Sequence, residues 1–402
     1  MNAESPLSIC MVSDDFLPGA TGVGTHVQVM SQHLAARGHR VSIVTTRRKG
    51  EPTRETWRGV QVHRVPTVRV AGFDQAVPGQ ALLHRILDEA RPDLVHLHYL
   101  GLMMLRTMAV ARQRGLPLVY TYHMTEDHLT QPWFMRPLRP LIAHQIVSAV
   151  NRMDTVISVS AGIAALLPGK GITRPVTTIS NPVDFPDPVT VKPATRDGDF
   201  VVMYAGRLEP EKNLPLLLRG FAVLAAAQPG AVLWLAGRGS RLASLQAQAQ
   251  ALGIASKVRF LGFLETPALA ARYAACDVFV LPSWVETQGL VALEAMWFGK
   301  PVLVSSAFAS AADLVDDGVN GWRVDPVDAS DLGRRLLVLA GESLDCQRLG
   351  AAGQARARGL TPDAVVPMLE EAYRHTDANA EALSKSFTPR IAWPPATLPD
   401  LR

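Results

Sequence analysis

The sequence predicts an α/β protein: two doubly wound parallel-sheet domains in series. Short β-branched, apolar runs alternate with amphipathic helical stretches, a Pro-rich break interrupts the alternation at residues 181–199, and the alternation then restarts. Before the break, Leu7–Ser13, Val41–Thr46, Val60–Arg64, Leu94–His98, Leu118–Tyr122 and Thr155–Val159 read as strands. Gly24–Arg37, Ala81–Ala90, Leu102–Gln113 and Leu138–Asn151 read as the helices between them. The break holds four prolines and lacks apolar periodicity, which is linker composition. After it, Phe200–Tyr204, Val232–Ala236, Lys257–Phe260, Val278–Leu281 and Val302–Ser305 read as strands, with helices over Asn213–Ala227, Arg241–Leu252, Pro267–Ala275 and Leu290–Phe298. Helical stretches at Asp328–Ala340, Cys346–Arg358 and Asp363–Arg374 close the fold. The expected division is a first domain over 1–185, a linker over 186–199, a second domain over 200–362, a C-terminal helix over 363–380 returning to the first domain, and a Pro-containing tail over 381–402. Ligands of such sheets sit beyond the carboxyl ends of the strands, so a cleft between two of them is the expected site.

Composition narrows the function classes. A chain of 402 residues accommodates two domains, and 19% charged residues with 48% hydrophobic describes a globular protein. The net charge of +4 is uneven: residues 1–190 carry 19 basic against 14 acidic residues, +5, and the remaining 21 against 22, −1. That balance excludes a polycationic nucleic-acid coat, and no nucleic-acid partner is expected. Three widely spaced cysteines, without a CxxC pair, make neither a disulfide framework nor a zinc site. The first residues lack a basic, apolar secretory leader, and no apolar run reaches the ~18 residues that span a bilayer. A cytoplasmic protein is expected, peripheral on the inner face of the plasma membrane if it meets a membrane at all.

The strongest chemical signal lies at residues 283–304. A strand ends at Leu281, a loop carries Glu286-Thr287-Gln288, and a helix starts near Gly289-Leu290. Backbone N–H groups at such a helix start are unpaired and face a phosphate or a developing anion. Glu286 in the loop suits sugar hydroxyls, and Glu294 in the helix suits a vicinal diol; two isolated glutamates at this spacing would equally be ordinary surface or capping residues. A second segment, Tyr204-Ala-Gly206-Arg207-Leu-Glu-Pro-Glu-Lys212-Asn213, places a planar guanidinium and a point charge after a strand end, suited to phosphate. Gly237 and Gly239 make another strand-to-helix turn, open either to close approach of a nucleotide or to simple tight turning. In the first half, Asp14–Val27 links the first strand to the first helix through a glycine-containing turn with Gly22 as the position of closest approach to a phosphate. Thr121-Tyr122-His123 ends a strand at the expected cleft. His98 ends the neighbouring one, while His96, His128 and His144 carry no further signal.

Glu286 and Glu294 with seven residues between them, followed by Glu-Ala-Met and Gly-x-Pro-Val, resemble the EX7E signature of the retaining GT-B glycosyltransferases of family 4. Glu-Thr-Gln-Gly-Leu at 286–290 is similar to the form found in bacterial diacylglycerol glucosyltransferases, and the resemblance runs over roughly residues 7–378. It departs in two places. Thr21 stands where the family carries a glycine in the first turn, and Asn181-Pro182 where it carries Asn-Gly. The resemblance implies a GT-B fold, two Rossmann-like domains facing a central cleft, and a nucleotide diphosphate sugar as substrate. It further implies that Arg207 and Lys212 hold the diphosphate, Glu294 the ribose, and Glu286 with the backbone of Thr287, Gln288, Gly289 and Leu290 the sugar. Gly22, Gly237, Gly239 and the backbone at Leu261 would complete the donor site, and His123 would reach the donor sugar and the reaction centre.

No cofactor and no metal are expected. Asp197-Gly198-Asp199 falls in the linker before a strand and reads as a turn, and no other carboxylate or histidine cluster has ligand spacing along the chain. Residues 131–152 mix Trp133, Phe134, Met135, Leu138 and Leu141 with Arg136, Arg139 and Arg152, a composition that suits either a core helix or the interface of an anionic membrane. With the basic first half it favours a membrane glycerolipid as acceptor. A polysaccharide or lipopolysaccharide glycan is the alternative.

Overall fold

The computed structural model describes residues 5–16, 22–70, 73–98, 101–123, 137 and 139–378. It divides into two compact units. The first runs to Pro182 and includes helix Pro362–Ala378; the second runs from Val183 to Thr361. The tail at 381–402 lies outside the described residues.

In the first unit an eight-stranded sheet is ordered Val176–Thr178, Thr155–Ser158, Leu118–Tyr122, Leu94–Leu97, Ser8–Val12, Arg40–Thr46, Val60–Val65, Arg54–Trp57. Every neighbouring pair is parallel except the last, a hairpin pairing Arg54 with His63 and Trp57 with Val60. The central strands are buried on both faces, which is why they read as unbroken apolar runs. The edge strand Arg54–Trp57 escapes that reading because its residues alternate exposed and half-buried. Helix Pro362–Ala378 is held here by specific polar contacts. Glu370 accepts from Arg37 Nε at 2.6 Å and lies 2.9 Å from His39 Nε2, and Tyr373 Oη is 2.6 Å from His96 Nδ1.

The second unit is a six-stranded, wholly parallel sheet ordered Val258–Gly262, Ala231–Ala236, Phe200–Ala205, Val278–Leu281, Val302–Ser305, Gly321–Val324. In chain order this is 3-2-1-4-5-6, the doubly wound dinucleotide-fold order, and it reverses between Phe200–Ala205 and Val278–Leu281. The Pro-rich segment read as a linker packs on this unit. Pro186 accepts from Trp297 Nε1 at 2.9 Å, Ala194 N donates to Ala271 at 2.9 Å, and Arg196 pairs with Asp277. Prolines remove backbone donors without preventing an extended chain from lying on a surface, so composition misread its packing. Asp197 accepts from Trp234 Nε1 at 2.8 Å and from Arg259 Nε at 2.5 Å, contacts that hold its carboxyl below the usual range. All three cysteines are free, and burial pushes the thiols of Cys10 and Cys276 up to about 12.

Candidate active site

At the carboxyl ends of the two strands where the second sheet reverses, two loops meet. The first leaves Ala205, turns at Gly206 (φ 141°), and carries Arg207 and Lys212 before helix Leu214–Ala227. The second leaves Leu281 and carries Ser283 and Glu286 to Gly289, the residue before helix Leu290–Trp297. Lys212 Nζ lies 2.7 Å from Glu286 Oε1, both side chains largely buried, and Ser283 Oγ donates to the same oxygen at 2.8 Å. Both contacts fall on Oε1, so Oε2 carries neither of them. Trp284 N donates to the Glu211 carbonyl at 2.8 Å and ties the two loops together. Arg207 bonds Glu211 at 2.6 Å through one Nη, and its exposed guanidinium has further N–H groups that this contact does not use. Tyr204, buried beneath, donates its phenol to the Arg207 carbonyl at 2.8 Å.

Gly289 has φ 80°, and a Cβ there would lie 2.9 Å from Leu281 Cδ2, so glycine is required to start this helix. The first N–H groups of Leu290–Trp297 then point out of the sheet with the positive end of the helix dipole. Gln288 is buried and Thr287 half-buried beside them. Glu294, one turn further in, is partly buried and accepts from Tyr273 Oη at 2.9 Å. Burial raises its carboxyl from 4.5 to about 7.

That shift predicts a pH dependence of defined sign. Between 4.5 and about 7 the folded chain holds the Glu294 proton while the unfolded chain has released it, so this residue's contribution to stability falls as pH rises through that window. Comparing wild type with Glu294→Gln in urea at pH 5 and pH 8 is expected to show the loss in wild type alone, at most about 3 kcal/mol. Equal pH slopes for the two proteins would contradict it.

Gly237 and Gly239 are required by packing inside the chain. Gly237 (φ 144°) would place a Cβ 1.8 Å from Gly206 O, and Gly239 one 2.3 Å from Leu208 O. Gly206 N to Ala236 O at 2.9 Å, Leu208 N to Arg238 O at 2.9 Å and Gly237 N to Gly262 O at 2.7 Å lace three strand ends together, with Leu261 on the last strand. Both glycines thus lie against the neighbouring loop.

In the first unit the strand order reverses between Ser8–Val12 and Leu94–Leu97, and Gly22 opens the helix Gly22–Ala36 that follows the first of these. Residues 17–21 of the turn lie outside the described residues, as do 124–136, which hold the continuation of the His123 segment and the first six residues of the basic aromatic stretch, and 138. Of that stretch, Leu141 on helix Arg139–Val150 is exposed. Among the described residues no helix is long and apolar enough to cross a membrane.

At this switch point three buried imidazoles converge: His26 from the helix, His98 from the end of Leu94–Leu97, His123 from the end of Leu118–Tyr122. Their ring centroids are 4.6 to 5.4 Å apart, and His98 Nδ1 is 3.2 Å from His123 Nε2. Burial, then the neighbouring imidazoles, push His98 and His123 well below the usual histidine range; burial takes His26 to about 4. All three are therefore neutral at pH 7. His96 is different in kind: Nδ1 meets Tyr373 and Nε2 meets Thr121 Oγ1 at 2.7 Å, so both ring nitrogens serve packing. Asp14, at the end of the first strand, is raised to about 7 by burial and by Asp15.

The sequence reading placed Arg207, Lys212, Glu286, Gly289, Leu290 and Glu294 at one sheet end, and the structure brings them together there. It missed Ser283, Tyr273 and Glu211, which position the named residues. Ser283 stands three residues before Glu286 and was the one readable signal. His26 was missed as a neighbour of His123 because the two lie 97 positions apart and only the strand order brings them together.

Two parallel-sheet units, one with paired cations, carboxylates and a helix start gathered at its switch point, define a two-domain enzyme that handles a nucleotide-linked substrate. The model of Glycosyltransferase Family 4 matches residues 20–185, and that of Glycosyl transferases group 1 matches residues 189–356. A D-inositol 3-phosphate glycosyltransferase of Streptomyces scabiei is 30% identical over 395 residues, covering 88% of this chain and 86% of the relative. A glycogen synthase of Mycobacterium tuberculosis is 29% identical over 89% of this chain and 91% of its own. An alpha-monoglucosyldiacylglycerol synthase of Streptococcus pneumoniae is 28% identical over 74% and 70%. Sucrose-phosphate synthase from Thermosynechococcus elongatus superposes with TM-score 0.77 at 21% identity, over 92% of this chain and 99% of that one. Anabaena Alr3699/HepE in complex with UDP-glucose superposes with TM-score 0.72 at 20% identity, over 92% and 100%. The chain belongs to the GT-B glycosyltransferases of family 4.

Proposed function

We propose that the chain transfers a hexose, with retention of anomeric configuration, from a UDP-glucose-like donor to the hydroxyl of a membrane glycerolipid. The observation that carries the transfer chemistry is the Lys212–Glu286–Ser283 contact beside Arg207 at the switch point of the second sheet. In this reading Arg207, Lys212 and the N–H groups of Leu290–Trp297 meet the donor diphosphate. As the sugar–phosphate bond breaks, negative charge grows on the departing diphosphate, and these fixed dipoles and cations stabilise it without a metal ion. Glu286 holds sugar hydroxyls through Oε2, its orientation set by Lys212 and Ser283. Glu294 holds the ribose diol, and Gly237, Gly239 and Leu261 shape the wall toward the base. His123, neutral at pH 7, offers one N–H or one lone pair to the donor sugar, and Gly22 a backbone N–H to the phosphate. No side chain is assigned as a nucleophile; the leaving phosphate takes the acceptor proton.

Support for the lipid acceptor is the ETQGL form at 286–290, the basic first half of the chain, and the similarity to the alpha-monoglucosyldiacylglycerol synthase of Streptococcus pneumoniae. A glucan acceptor is the second reading, favoured by the glycogen synthase relative. The deciding experiment incubates the protein with a panel of nucleotide sugars and either diacylglycerol in anionic vesicles or a soluble glucan, and identifies products by mass spectrometry. A glycosylated lipid that needs anionic vesicles is the expected result. Full activity on the glucan, without vesicles, would overturn the lipid reading.

A further inference from the structure

We propose that His26, His98 and His123 form a binding site for a transition-metal ion of the zinc class, and that an ion held there opposes transfer. One ligand nitrogen of each imidazole lies within 4.8 Å of those of the other two, and it is the only such grouping among the described residues. A tetrahedral ion with bonds of about 2.0–2.1 Å to nitrogen sets its ligand atoms about 3.3–3.4 Å apart. His98 Nδ1 and His123 Nε2, at 3.2 Å, already stand at that spacing, and His26 need come inward by at most about 1.5 Å.

The second observation is independent of spacing. The ring nitrogens of His26 are buried with the Asn181 side chain as the one polar group set against them and no hydrogen bond of normal geometry, so an ion would satisfy one of them; Nε2 of His98, on the far side of the ring from the ligating Nδ1, is buried and unpaired as well. Buried polar atoms are normally paired, and each orphan calls for an explanation such as an absent ion or water. The adjacent His96, with both nitrogens engaged by Tyr373 and Thr121, shows that this fold satisfies an imidazole when its role is packing. Three neutral imidazoles without a carboxylate select zinc, copper or nickel over magnesium, calcium or manganese. Three protein ligands leave a fourth position for water.

The opposing effect rests on the proposed role of His123, because a metal on Nε2 would hold the ring and take a nitrogen that would otherwise serve the donor sugar. Binding itself rests only on geometry, and the test separates the two. Zinc alone is titrated into the full-length protein against a chromogenic chelator, with cobalt(II) absorption reporting the coordination shell. One zinc per chain at micromolar Kd or tighter is expected, with tetrahedral cobalt bands and no competition from magnesium. His98→Ala and His26→Gln should each weaken zinc binding at least tenfold at an unchanged melting temperature, while His375→Ala, on an exposed helix face, should not. Absence of stoichiometric zinc on the wild-type protein overturns the site, as does wild-type affinity in both variants. Transfer should fall over the same zinc range as binding; zinc bound at full activity overturns the inhibitory half alone. A chain without transferase activity that still binds zinc through these histidines leaves the site standing and removes the proposed function instead.

Discussion

Lys212→Ala is expected to lower the kcat of transfer 10²- to 10³-fold, the range seen when one preorganised donor to a developing charge is removed. The effect should exceed any change in KM, because the charge on the departing diphosphate grows as the bond breaks. Lys212 is largely buried and already aimed by Glu286 at 2.7 Å, so its ammonium needs little reorganisation when the leaving group forms. The same variant strips Glu286 of its cation while the Ser283 hydrogen bond stays, so Glu286→Gln should reproduce much of the loss. Arg334→Ala, on the exposed face of helix Ala329–Gly341, should remain at wild-type activity. Steady-state rates with varied donor decide the matter, and a Lys212→Ala enzyme within threefold of wild type would remove this residue from the reaction.

Gly237→Ala is expected to be the most destabilising single-methyl change in the second unit, costing about 3–5 kcal/mol. Two causes add. The backbone there has φ 144°, and the new Cβ would lie 1.8 Å from Gly206 O, a backbone atom that cannot turn aside as a side chain does. Gly253→Ala is the matched comparison: φ is 70° but nothing lies within 4 Å, so it bears strain without a clash and should cost only about 1–2 kcal/mol. Urea unfolding of both variants measures the difference. Equal midpoints would show that the loops Gly206–Leu208 and Gly237–Gly239 move apart at little cost, against the lacing hydrogen bonds between them.

How much of this was legible in one dimension depended on where each residue's partners lie along the chain. Five of the six strands of the second sheet alternate with helices at short intervals as apolar runs, so alternation was enough to define them. The donor-site residues were legible for a related reason. Glu286, Gly289 and Glu294 lie on one loop and the helix it feeds, while Arg207 and Lys212 lie on another, so local spacing preserves each group. Edge elements were harder. Arg54–Trp57 and Gly321–Val324 are short and partly exposed, and neither carries an apolar run long enough to stand out. The Pro-rich segment after Val183 misled because proline content reports lost backbone donors, not whether side chains and carbonyls find a surface.

The amino-acid order was sufficient for the class of fold, the family, and the charged groups of the second unit, because each rests on contacts within one loop or one turn of helix. Strand order was beyond its reach. The reversal beside Phe200–Ala205 joins Lys212 to Glu286 across 74 positions, and the reversal beside Ser8–Val12 brings His26 to His98 and His123. Parallel strands pair through long crossovers, so which ends become neighbours is settled by packing helices on both faces of the sheet. Gly237 and Gly239, open in the sequence either to a nucleotide or to tight turning, lie against a neighbouring backbone, and His26 joins His98 and His123, because both facts belong to space rather than to sequence.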